Sequence, residues 1–204
     1  MELNKEQGTA LVRYIRKTLE EYFKEKTADI GDYISEDMKD VVSREAAAYV
    51  TLFKYPSMRF RGSSGHMLPI LSLEKTIREA TIKAAFRDRR FIPLMKSELM
   101  DTIVEFSMLK KPVKIEADSF TEYPSKIKIG RDGIAIEKGY TRALLLPQNA
   151  VMMDWDAKQF LSFALLKAGL NPANKSKDIE VYRIQAQVFR EEKPKGDVFE
   201  QEFS

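Results

Sequence analysis

The sequence predicts an α+β protein: a mainly antiparallel sheet flanked by helices. Two long stretches, residues 5–25 and 72–87, carry apolar side chains at helical spacing. Strand-like runs outnumber the helices, and short Gly, Pro or Asp-Gly signals separate most of them, which joins neighbours as hairpins.

In the first helix Leu11, Ile15, Leu19, Tyr22 and Phe23 form a buried stripe, while Arg13, Arg16, Lys17, Glu20, Glu21 and Lys24 take the solvent side. Residues 26–44 have weak periodicity and a Gly31-Asp32 turn signal, so they are expected to be an irregular connection. Residues 47–55 make a strand that Pro56-Ser57 breaks. Met58–Arg61 returns as a second short strand and delivers a polar, glycine-rich loop, Arg61-Gly62-Ser63-Ser64-Gly65-His66. Ser72 is placed as an N-cap, with Glu74 in the first turn where the helix dipole favours an anion. Leu73, Ile77, Ala80 and Ala84 line the buried face, and the helix ends near Arg87.

Residues 103–109 form a strand buried on both faces, closed by Pro112. Residues 126–129 and 134–137 alternate on either side of Gly130-Arg131-Asp132-Gly133, the pattern of a hairpin. A third run, 142–146, ends at Pro147-Gln148. Asp156 with Gln159 opens a helix carrying Phe160, Leu161, Ala164, Leu165 and Ala168, stopped by Gly169 and Pro172. Residues 180–190 are the last strand. The expected organisation is one domain over 1–192, with a larger and a smaller lobe dividing near 112–124, and a frayed tail over 193–204.

At 204 residues the chain can bury a real core, and 44% hydrophobic with 32% charged residues is the composition of a soluble globular protein. No run approaches a membrane span and Met1–Glu6 is not a signal peptide, so no membrane association and a cytoplasmic location are expected. With no cysteine and one histidine, thiolate chemistry, disulfides and a His/Cys metal site are excluded, and no metal or other cofactor is expected. The 34 basic and 31 acidic residues are interspersed, unlike the dense basic stripe of a dedicated nucleic-acid binder.

The Arg61–His66 segment is the candidate site. Backbone N–H groups of a glycine-rich turn can converge on an anion, and a guanidinium can bind carboxylate or phosphate in bidentate fashion. The competing reading is a tight turn with Arg61 in a structural ion pair. Asp88 and Arg90 either extend the polar site or form a local salt bridge, and Gln148 either binds a ligand or caps backbone. Arg131 and Asp132 are most simply turn residues, and Trp155 a core anchor. Ser63, Ser64 and His66 do not by themselves make a hydrolase, because loop neighbours seldom align and no orienting acid is identifiable.

Phe60-Arg61-Gly62-Ser63-Ser64-Gly65 resembles the Leu-Arg-Gly-Cys-Ile-Gly hallmark of the AMMECR domain family. Asp88-Arg89-Arg90-Phe91-Ile92-Pro93-Leu94, Ile129–Ile134, Leu144–Gln148, Trp155-Asp156 with Phe160-Leu161, and Lys167–Leu170 are similar to further family blocks, in the same order. The resemblance spans nearly the whole chain. It implies a compact α+β protein of two unequal lobes with the hallmark lining a cleft between them. It also implies protein partners in a radical-SAM-associated modification pathway. The hallmark cysteine is Ser63 here, the hallmark isoleucine is Ser64, and a second family cysteine falls at Leu165, which favours binding or backbone geometry over thiol chemistry. Two functions are therefore expected as alternatives. In one, the cleft around Arg61–His66 binds a small anionic ligand as an accessory or enzymatic component of that pathway. In the other, the chain is an adaptor for protein, or less readily for nucleic acid, and the motif is structural.

Overall fold

Asn4 starts the first helix, α1 (Lys5–Tyr22), through a reciprocal capping box with Gln7. Leu11, Ile15 and Leu19 of its apolar stripe are buried as expected, but Tyr22 is exposed and Phe23 half-buried, and Arg16 and Glu21, expected on the solvent side, are buried because each has ion-pair partners. The structure, a computed structural model, describes residues 2–36, 38–173 and 178–202. The expected irregular connection contains a 3-10 turn, Ile30–Asp32, and a short helix, α2 (Met38–Ser43), whose Met38 and Val42 reach the core.

The strands β1 (Ala48–Lys54) and β2 (Arg59–His66) form an antiparallel pair, so the segment expected to be a glycine-rich loop is extended strand. Ser72 caps α3 (Leu73–Phe86) as expected. A 3-10 stretch, Lys96–Asp101, leads into β3 (Thr102–Leu109), every residue of which is buried.

The expected hairpin over 126–137 is displaced. After the two-residue strand β4 (Val113–Lys114), residues 120–126 form a 3-10 stretch, and β5 (Gly133–Lys138) pairs instead with β6 (Thr141–Leu145) around Gly139. Two helices follow, α4 (Pro147–Met152) and α5 (Ala157–Lys167), the latter opened by the expected Asp156–Gln159 box. The expected last strand is two strands, β7 (Glu180–Ile184) and β8 (Ala186–Glu191), and they belong to different sheets. The tail is not frayed over its described part: Pro194 and Gly196 lie in a turn, and β9 (Val198–Glu200) pairs with β8. Residues 203–204 lie outside the described residues.

Both sheets are antiparallel in their recorded pairings. One has the order β2-β1-β3-β8-β9 and the other β4-β7-β5-β6. The chain divides into two compact units: Met1–Leu109 with Gln187–Gln201, and Lys110–Ala186 with Glu202–Ser204. In the first, α1 and α3 pack on β1, β2 and β3 around Leu11, Ile15, Val50, Leu52, Ile77 and Phe106. In the second, α5 closes the smaller sheet around Ile134, Ile136, Phe160 and Val181. Among the described residues no helix is long and apolar enough to cross a membrane.

Candidate functional site

The strand β2, which carries Arg61–His66, lies at an edge of the five-stranded sheet, and its geometry follows from one extra residue. Leu52 faces Gly62 and Phe53 faces Phe60, so Arg61 is a bulge residue with no counterpart on β1. The bulge turns the Arg61 side chain into the unit, where it is 3% exposed. There Nε donates to Glu98 Oε1 at 2.9 Å, one terminal nitrogen donates to Glu98 Oε2 at 3.0 Å, and the same nitrogen reaches the Ile92 carbonyl at 3.0 Å. The guanidinium also lies 5.6 Å from the centre of the Phe91 ring. These Arg61 bonds pull the Glu98 carboxyl down to about 2; burial opposes the shift and the Met95 N–H adds to it. Arg61 NH1 is buried and makes no hydrogen bond among the described residues. Anion capture by an accessible Arg61 is thus replaced by a bidentate internal ion pair.

The glycines have a steric reason and not a conformational one. A Cβ on Gly62 would collide with the Ala84 carbonyl oxygen of α3, and one on Gly65 with the Ala48 carbonyl oxygen and the Tyr49 ring. Neither glycine has a positive φ. They permit close approach of a helix and of an aromatic ring to the strand.

Asp88 and Arg90 sit beside the same strand. The Asp88 carboxylate accepts the Ser63 N–H at 3.0 Å and the Arg90 guanidinium at 2.8 and 2.6 Å. Burial alone would raise the Asp88 carboxyl, but the Arg90 and backbone bonds outweigh it and hold it below its ordinary value. The outward N–H of an edge strand is thereby occupied, which blocks addition of another strand there. Arg90 also lies 4.7 Å from the Phe60 ring centre.

Alternation then separates the remaining polar residues. Ser64, opposite Val50, and His66, opposite Ala48, share the face that packs on α3, and His66 Nε2 stands 3.7 Å from Glu79 Oε2. Ser63, opposite Thr51, is on the other face, so His66 cannot serve as its base. The Ser63 and Thr51 hydroxyls are 3.0 Å apart. Register continues this row through Glu105 on β3, whose Oε2 is 3.6 Å from Arg190 NH1 on β8. Thr51, Glu105 and the neighbouring Ser107 are buried, whereas Ser63 is only half-buried at the margin. Burial pushes the nearby Tyr49 phenol up. The sequence does not reveal this cross-strand row, because its members lie far apart in the chain; its one signal is three polar residues, Thr51, Glu105 and Ser107, inside apolar runs.

Gln148, in α4 of the second unit, is 1% exposed. Arg131 and Asp132 occupy a loop and not a hairpin turn: the carboxylate of Asp132, itself fully buried, accepts the Lys128 N–H and two Arg131 bonds. Trp155 stacks on Phe163 with ring centres 4.1 Å apart.

A family model described as AMMECR1 matches residues 12–189. The chain belongs to the AMMECR1 family. Relatives include proteins of Methanocaldococcus jannaschii, 40% identical over 97% of this chain and 96% of that one, and of Thermofilum pendens, 41% identical with the same coverage. The crystal structure of an uncharacterized protein from Pyrococcus horikoshii superposes with a TM-score of 0.90 at 36% identity, covering 100% of both chains. The matched residues span β1, β2 and β3 in full.

Proposed function

We propose that this AMMECR1 protein binds a small polar ligand at the Ser63 end of the polar row, with the Phe60–Gly62 half of the hallmark acting as scaffold. The observation that carries the proposal is the half-buried Ser63 hydroxyl, hydrogen-bonded to Thr51 at the margin of a buried row of polar side chains on one sheet face. Buried polar groups are costly unless they are satisfied, and Ser63, Thr51 and Glu105 occupy matching register positions on three neighbouring strands, which supports a role beyond packing. The ligand's charge follows from pairing: Arg61 with Glu98, Arg90 with Asp88 and Arg190 with Glu105. Each guanidinium has a carboxylate, so a simple anion gains no net attraction. A neutral or zwitterionic ligand with both donors and acceptors fits better than the anion the sequence suggested.

The test uses the low-molecular-mass fraction of a cell extract. It should raise the melting temperature of the wild-type protein, and Ser63→Val should melt like wild type alone but lose that increase. A Ser63→Val protein that gains the same increase would overturn the proposal.

A further inference from the structure

On the second unit, two adjoining surface depressions share Arg131 and Arg183. One, of about 510 Å³, adds Lys110, Lys111, Val113 and Gln185 to its walls. The other, of about 440 Å³, adds Lys114, Lys126 and Lys128 with a single acid, Glu116. Seven basic side chains thus border these two depressions, referred to together as the groove, against one carboxylate. Several of these cations are already engaged: Lys114 with Glu180, Lys126 with Glu122, and Arg131 with Asp132. Lys111, Lys128 and Arg183 have no ion pair among the described residues, and the two lysines are exposed.

The groove is built, not incidental. Fully buried Asp132 accepts the Lys128 N–H at 2.9 Å and grips Arg131 through two bonds of 2.7 Å, with Gly130 at φ 82° completing the loop. One buried carboxylate therefore fixes the Lys128 backbone and the Arg131 guanidinium beside the groove. Arg183 lies opposite Val113 and Ile134 on the central strand β7, and it acts electrostatically on Asp132.

We propose that this groove binds a run of phosphates, either the phosphodiester backbone of a single-stranded nucleic acid or a free oligophosphate. Seven cations around two depressions that share Arg131 and Arg183 suit several negative charges better than one. No aromatic side chain is among the lining residues, so the contact is to phosphate and not to stacked bases. This site is separate from the ligand proposed for Ser63. The overall charge balance concealed it, because β7 brings Arg183 to a cluster more than fifty positions earlier in the chain.

Fluorescence anisotropy of the full chain with a labelled single-stranded RNA oligonucleotide tests it, with inorganic tripolyphosphate as competitor. Binding should weaken with salt at a log–log slope of about −2, the release expected for roughly three phosphates on a single strand. Lys111→Glu combined with Lys128→Glu, or Arg183→Glu, should weaken binding at least tenfold. The control Lys96→Glu, on the first unit, should leave it unchanged. Because Arg183 is half-buried, Arg183→Gln and a melting temperature accompany its charge reversal. Competition by tripolyphosphate alongside RNA binding assigns the groove to a nucleic-acid backbone. Tripolyphosphate binding, read directly by isothermal titration calorimetry, without RNA binding assigns it to a free oligophosphate. Failure of both probes to bind, equal loss in Lys96→Glu, or equally tight binding of a polyglutamate peptide would overturn the proposal. The melting-temperature increase lost in Ser63→Val should survive every groove variant, so the two proposals fail separately.

Discussion

At the residue scale, Arg61 is held by Glu98, and the pair can be weighed by pH. Glu98 titrates near 2 in the folded protein against an ordinary value of 4.5. A depressed carboxyl stabilises the fold above its unfolded pKa and loses that contribution as pH falls through the folded one. The stability difference between wild type and Glu98→Gln should therefore be constant above about pH 5 and shrink between pH 4.5 and 2. At neutral pH the substitution should cost about 3–5 kcal/mol, because it leaves the Arg61 charge buried without its counter-ion. Urea titrations at several pH values check both statements; a difference that does not change down to pH 2 would show that Glu98 is not the partner that matters. Arg61 itself was legible as an important residue from its motif. Its partner was not, since Glu98 lies 37 positions later and nothing local links the two.

At the scale of elements, the Arg61–His66 segment shows that glycine has two uses. Gly62 and Gly65 suggested positive φ and a loop, but they serve close approach within a strand. Sequence alone does not tell these apart, because the collision partner of Gly62 is a carbonyl of α3 more than twenty residues away. Gly62→Ala should consequently destabilise the protein by about 1–3 kcal/mol through overpacking, whereas Gly139→Ala, with nothing near its Cβ, should show only the smaller penalty of its positive φ. Thermal or urea unfolding of the two variants compares them directly. Helices α1, α3 and α5 and strands β1 and β3 were legible because period and caps agree at each. The hairpin around Asp132 was not. Its carboxylate turns inward to hold Lys128 and Arg131, so the Asp-Gly pair precedes a strand and does not join two.

At the scale of the whole molecule, the first unit is closed by its C-terminal strands. Arg16 of α1 pairs with Glu191 of β8 and donates to the carbonyls of Leu99 and Thr102, while Glu191 also accepts the Val104 N–H. A buried cluster joining residues 175 positions apart makes β8 part of the fold's core. Removing residues 187–204 should abolish cooperative unfolding of this unit, while segment 110–186 keeps its own core cluster. Circular dichroism melts of the shortened chain check this; an unchanged first transition would contradict it. The sequence left β8 fused to β7 because both alternate in phase and only Gln185 separates them.

The proposed division of β2 into a scaffold half and a ligand-facing half can be probed cleanly by thiol labelling, because the sequence has no cysteine. Ser63→Cys should react with a thiol reagent in the folded protein, and the low-molecular-mass cell fraction should slow that reaction. Ala84→Cys, behind the strand in a buried position, should react only on unfolding. A Ser63→Cys thiol as inert as Ala84→Cys, or one whose labelling rate the fraction leaves unchanged, would rule out a ligand at Ser63.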